Sequence, residues 1–169
     1  MVAIQKYLRS FALFVRKEAR ANVKGTDLEK SIKFRVVKTS TGWEVELRMA
    51  AYGQFVDKGV SGTKKQRTYE TWEGDNKPSP FQYTTKQPPA DILSKWISKK
   101  KIKGRDRKTG RYITNLSLAF IFARSIKSKG LKSLSFFQEP LGLAMRSFGL
   151  DMMGALKEDI LTGWTKFKT

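Results

Sequence analysis

Between residues 3 and 21, apolar side chains recur at steps of three and four. Ile4, Tyr7, Leu8, Phe11, Phe14, Val15 and Ala19 take one side, while Lys6, Arg9, Arg16, Lys17 and Arg20 take the other. A period near 3.6 predicts an amphipathic helix laying its stripe on a sheet; a basic helix lying on a membrane surface shares the pattern and is the alternative. Gly25 ends this segment and Asp27 opens the next. The period then changes to two. Ile32, Phe34 and Val36 alternate with polar residues, Thr39 to Gly42 turn the chain, and Trp43, Val45, Leu47 and Met49 alternate again. This predicts a β-hairpin whose apolar side covers the first helix. On its other side, Lys33, Arg35, Glu44, Glu46 and Arg48 are expected to pair opposite charges across the strands.

From Ser61 to Pro89 the pattern fades into Gly, Lys, Gln, Thr and Pro, with Tyr69, Trp72, Phe81 and Tyr83 embedded. So long a stretch without periodicity is unusual inside a compact domain, and its aromatics predict an extended arm that orders at subunit contacts. Pro88 and Pro89 open a short helix carrying Ile92, Leu93, Trp96 and Ile97 on one face. A further helix runs from about Asn115, the expected N-cap, to Lys129, with Gly130 as its stop. The last begins at Pro140 and ends near Trp164, with Gly149 and Gly154 inside it expected to mark close packing or a bend. The expected class is α+β: an N-terminal amphipathic helix on a small antiparallel sheet, a long extended arm and C-terminal helices. Residues 1–169 are expected to form a single domain, with the arm at about 61–89 and a basic loop at about 99–111.

Composition narrows the chemistry. The 169 residues include no Cys and no His, so no thiolate nucleophile, imidazole base or Cys/His zinc site can be built. Glu70, Glu73 and Asp75 form the one dense acidic group, but without matched catalytic spacing they are expected to be a solvated, partner-facing loop. Gly53, Gly59 and Gly62 fit neither a P-loop nor a dinucleotide fingerprint and are expected to be turn and close-approach residues. No enzyme activity, cofactor, metal or small-molecule substrate is expected. Charged residues interrupt the apolar N-terminal positions, and the run from Leu116 to Ala123 is far short of the ~20 residues that span a bilayer. A soluble chain without a membrane partner is expected.

Charge supplies the positive clue. Thirty-four basic residues face 15 acidic ones, a net charge of +19, and such a field calls for an acidic neighbour. It is densest at Lys99, Lys100, Lys101, Lys103, Arg105, Arg107, Lys108 and Arg111, opposed locally by Asp106 alone. The run reads as a DNA-contacting hairpin with a flexible tip between Gly104 and Gly110, as a loop docked on an acidic protein ring, or as a solvated face.

Two short words carry a resemblance. Gly25-Thr26-Asp27-Leu28 leading to Ser31-Ile32, followed by Tyr52-Gly-Gln-Phe55-Val56-Asp57-Lys-Gly59-Val-Ser61, resembles the neck, tail-completion and head–tail connector proteins of tailed bacteriophages. The likeness covers residues 1–62, with a looser echo at Phe136-Phe137-Gln-Glu-Pro140; residues 61–135 depart from it. It implies a structural protein of the virion, made in the host bacterial cytoplasm. Such a protein assembles with itself as a ring and meets other neck, portal or tail proteins and the packaged DNA. It also implies that Tyr52, Phe55 and Val56 lie near subunit contacts, although ordinary core residues would read the same way. Trp72, Phe81 and Tyr83 of the arm join them as expected interface residues. The rival expectation is a basic nucleic-acid-binding protein acting alone.

Overall fold

The computed structural model describes residues 2–166 and is mixed helix and sheet, as the periodicities predict. The chain forms two compact units. The first comprises Met1–Asp57, Glu70–Asn76 and Ser135–Thr169, the second Lys58–Tyr69 and Lys77–Leu134.

In the first unit, α1 (Ala3–Asn22) buries Ile4, Leu8, Ala12, Val15 and Ala19 along one stripe. The short α2 (Asp27–Ser31) follows, its start fixed by Thr26, whose hydroxyl accepts from the Glu29 N–H, while Glu29 Oε2 accepts from the Gly25 N–H at 2.7 Å. This reciprocal arrangement satisfies donors that a helix start leaves open. β1 (Lys33–Lys38) and β2 (Trp43–Arg48) pair antiparallel, with Val36 opposite Val45. Val36, Trp43 and Val45 pack around Ile4 and Leu8, so the hairpin covers the first helix. The charge pairing is only partly the expected one. Arg35 faces Glu46, but Lys33 faces Arg48, and Arg48 pairs with Glu46 two residues away on its own strand. The register is set by the apolar side, and the outward charges take whatever neighbours it leaves them.

After α3 (Gly53–Lys58) the chain leaves this unit, returning for a turn at residues 70–76 and then for α6 (Gln138–Lys166), 29 residues that pack along α1. Phe148 of α6 meets Tyr7 and Phe11, with ring centroids 5.8 and 5.1 Å away. A second core gathers Ala19, Val23, Leu28, Ile32 and Phe136. The turn at 70–76 joins β3 (Thr68–Glu70) to β4 (Asn76–Pro78), short strands that polar composition conceals.

In the second unit, α4 (Ala90–Lys99) packs on α5 (Asn115–Lys129) around Ile97, Leu118 and Ala119. The N-cap of α5 is Thr114 rather than Asn115: the threonine hydroxyl accepts from the Ser117 N–H at 3.2 Å, while Asn115 donates to Ser98 Oγ. Much of the stretch read as an arm is held by backbone hydrogen bonds. Ser61 exchanges bonds with Phe81 and Tyr83, Val60 bridges Leu131, and the Thr63 N–H donates to the Lys127 carbonyl. Two backbones cross where Gly62 meets Gly130. A Cβ on Gly62 would stand 2.2 Å from the Ser128 carbonyl oxygen, so no other residue fits.

Candidate functional site

The residues expected at subunit contacts fall into two groups. Tyr52, Phe55, Val56 and Trp72 belong to the first unit, Phe81 and Tyr83 to the second. Tyr52, just before the start of α3, and Phe55, within its first turn, are 45% and 44% exposed, whereas Val56 packs against the core around Phe136. Trp72 is 40% exposed at the β3–β4 turn. Its N–H donates to Gln138 Oε1 at 3.2 Å, and its carbonyl oxygen lies so near Gly142 that a Cβ there would approach to 2.5 Å. Phe81 and Tyr83 are half-buried, and burial pushes the Tyr83 phenol up from its ordinary pKa.

Asp57 of the motif performs a structural task. It is 2% exposed, and its Oδ1 accepts from the N–H groups of Phe137 and Gln138 at 2.9 and 3.4 Å. Oδ2 accepts from Gln138 Nε2 at 3.0 Å, and the Asp57 carbonyl accepts from the Ser135 N–H at 3.1 Å. A carboxylate from 80 residues upstream thus caps the start of α6, where a negative charge also meets the positive end of the helix dipole. Nothing local to Asp57 announces this partner. The echo at Phe136-Phe137-Gln138 is its other half.

The basic run forms an ordered hairpin in the second unit. Ile102 returns the chain to the core behind Lys99, Lys100 and Lys101, its N–H donating to the Ile97 carbonyl. Arg105 then bridges Tyr112 antiparallel, and Ile113 donates to the Gly104 carbonyl. At the tip, Asp106 Oδ1 accepts from the N–H groups of Lys108 and Thr109 at 2.9 and 2.8 Å and from the Thr109 hydroxyl at 3.0 Å. These bonds from Thr109 and Lys108 hold the Asp106 carboxyl below its ordinary pKa. The tip between Gly104 and Gly110 is therefore a hydrogen-bonded turn where a flexible one was expected. Arg105 lies 4.5 Å from the centroid of the Tyr112 ring and donates to its hydroxyl at 2.7 Å, while Lys103 Nζ sits 5.8 Å from the same ring. Tyr112 stays 62% exposed, and all eight basic residues of the run are open to solvent. The ring is a platform for cations that sequence reading missed, although an aromatic seven residues past an arginine across a Gly-bounded turn was its signal.

Beside the hairpin's supporting helices, Tyr83, Ile92, Leu93, Trp96, Phe122 and Ile126 line a nearly apolar groove of about 480 Å³. Charge is distributed as unevenly as the polar groups. The second unit holds 19 Lys and Arg against Asp91 and Asp106, a net +17; the first holds 15 against 13, a net +2. Among the described residues, no three of His, Cys, Asp and Glu converge as metal ligands, and no helix is long and apolar enough to cross a membrane. Comparison of the chain with models of protein families, with characterised proteins and with solved structures found no match.

Proposed function

We propose that the chain is a structural protein of the phage head–tail junction, a neck, tail-completion or connector component that assembles with itself as a ring inside the virion. The observation that carries this reading is the set of half-open aromatics on the first unit. Tyr52, Phe55 and Trp72 stand 40–45% exposed on backbone that Asp57 and Gly142 hold in place. Anchored aromatics left open to water are what a subunit contact uses. The motif residues Leu28, Ile32 and Asp57 supply the scaffold, and residues 61–135, which depart from the family's pattern, nearly coincide with the strongly basic second unit. That unit faces an acidic surface: packaged DNA or an acidic neck, portal or tail protein.

A second reading, a basic nucleic-acid-binding protein acting without a ring, is favoured by the Arg105–Tyr112 platform, since exposed aromatics among cations also suit single-stranded nucleic acid. Light scattering on size-separated protein decides between them. The ring reading expects a closed oligomer larger than a dimer that is lost in Tyr52→Ser/Phe55→Ser. A species no larger than a dimer that binds DNA tightly and salt-sensitively supports the second reading instead.

A further inference from the structure

α6 is apolar on two sides, and the first unit uses one. Phe148, Met152 and Ala155 face α1, and Asp159 caps that helix by accepting from the N–H groups of Val2, Ala3 and Ile4 at 2.7–3.1 Å. On the opposite side Leu150, Met153, Ile160, Leu161 and Trp164 lie open, with Leu150, Met153 and Trp164 exposed to 78%, 69% and 74%, and half-open Leu143 stands at their flank, on the rim of the groove it lines with Tyr7, Phe11 and Phe14 of α1. A spacing of seven, three, seven, one and three residues keeps the six on one stripe of a helix, the seam a partner helix needs. We infer that this outer stripe is a seam for α6 of a second copy of the chain, the two helices running antiparallel.

Three observations choose that occupant and that direction. Taking roughly 200 Å² for a large apolar side chain fully open to water, the exposed fractions amount to about 750 Å², close to the roughly 800 Å² each partner contributes to a stable interface. The centre of the stripe falls between Met153 and Gly154, and a Cβ on Gly154 would meet nothing within 4 Å among the described residues. Glycine within a helix costs roughly 1 kcal/mol against alanine, yet no packing among the described residues accounts for it there. Across an antiparallel two-fold, Met153 of one copy inserts against the partner's Gly154 and Leu143 lies beside the partner's Trp164. Charge settles the direction. Arg146 and Lys157 interrupt the stripe. A parallel in-register pair would set each directly against its own copy, whereas the antiparallel pair sets Lys157 against the partner's Leu150 and Arg146 against the partner's Leu161, over which their aliphatic stems can lie, and holds Lys157 one helical turn away from the partner's Arg146.

This contact is isologous and closes on itself, so it does not depend on the ring reading, which needs a head-to-tail contact elsewhere. Because the chain has no cysteine, single-cysteine variants give unambiguous links. In high salt, which keeps nucleic acid off, the protein should sediment at no less than twice 19.3 kDa. An equimolar mixture of Leu143→Cys and Trp164→Cys should join through a short bis-maleimide linker into mixed dimers, and Leu143→Cys alone should not. Leu150→Asp/Met153→Asp, changed only at exposed positions, should retain its far-ultraviolet dichroism and self-associate at least ~100-fold more weakly. The mixed link should survive in Tyr52→Ser/Phe55→Ser, which separates this seam from the ring contact. A monomeric wild-type protein, linking of Leu143→Cys to itself, or undiminished pairing of the double aspartate variant would each overturn the proposal.

Discussion

The two units spend their acidic residues differently. In the first, where 13 acidic residues nearly balance 15 basic ones, two carboxylates tie the chain together across long distances, Asp57 holding the start of α6 and Asp159 the start of α1, while Glu29 closes the local turn before α2. In the second, Asp106 holds one tight turn, and 19 basic residues face only it and Asp91. Acidic groups that serve as caps leave a nearly neutral body with apolar surface to spare. A unit almost without them keeps its field for an outside partner. The contrast separates surfaces suited to subunit contact from the surface suited to a polyanion.

The largest effect expected from this division is on polyanion binding. Replacing Lys99, Lys100, Lys101, Arg105, Arg107 and Lys108 with Ser should weaken duplex DNA binding by more than ~100-fold at low salt, and the log–log salt slope should fall by about 0.9 for each phosphate that these side chains no longer neutralise. The fold should persist, since all six side chains are exposed and the backbone bonds of the hairpin remain. An unchanged slope would move the binding surface elsewhere in the second unit. Unchanged weak DNA binding with failure to enter particles would assign the run to an acidic protein.

Next in size is the cost of removing the long-range cap. Asp57→Ala leaves the N–H groups of Phe137 and Gln138 without their acceptor beside the buried Phe136, and should destabilise the first unit by about 3 kcal/mol. Urea unfolding followed by hydrogen exchange at α1 and α6 measures this cost. Full protection of α6 in the variant would show that the cap is dispensable.

Legibility in the sequence follows the range of the interaction. The stripe of α1, the alternation of β1 and β2, the Pro-led start of α4 and the Gly130 stop are local patterns, and each sits where periodicity puts it. β3 and β4 are hidden because Tyr69 is the single apolar side chain in Thr68-Tyr-Glu70 and Asn76-Lys-Pro78, and three residues are too few to show an alternation; backbone pairing and the Thr71 to Asp75 turn make them strands. Gly149 and Gly154 suggest close packing or a bend, but among the described residues a Cβ on either meets nothing within 4 Å, and the tight glycine of α6 is Gly142, against the Trp72 carbonyl, a residue far upstream in the chain. Gly104 and Gly110 suggest a flexible hairpin tip, but the Asp106 carboxylate between them accepts three hydrogen bonds and fixes the turn. Of the candidate site, the basic run and the aromatic anchors were visible as residues. Their grouping by unit and the capping role of Asp57 were not, since both depend on which distant segments meet.

The smallest effect concerns acid, and it tests whether the carboxylates of the first unit act as charges or merely as hydrogen-bond acceptors. Desolvation disfavours the ionised form of Asp159, yet the N–H groups of Ile4, Ala3 and Val2 outweigh it and lower the pKa from 3.8 to about 2. A folded-state pKa below the unfolded one stabilises the fold above the unfolded value, and that contribution disappears as pH falls through the folded one. The attachment of α1 to α6 should therefore weaken between about pH 4 and pH 2. Asp159→Asn keeps an oxygen to accept the bonds but carries no charge, so its stability should be lower near neutrality and flatter across that window. Asp106→Asn, which alters only the second unit's turn, should leave the first unit's acid response in place. Hydrogen exchange at the first turn of α1, followed against pH in the three proteins, reads the difference. If protection in Asp159→Asn falls as steeply as in the wild type, the acid response belongs to another group and Asp159 contributes by geometry alone.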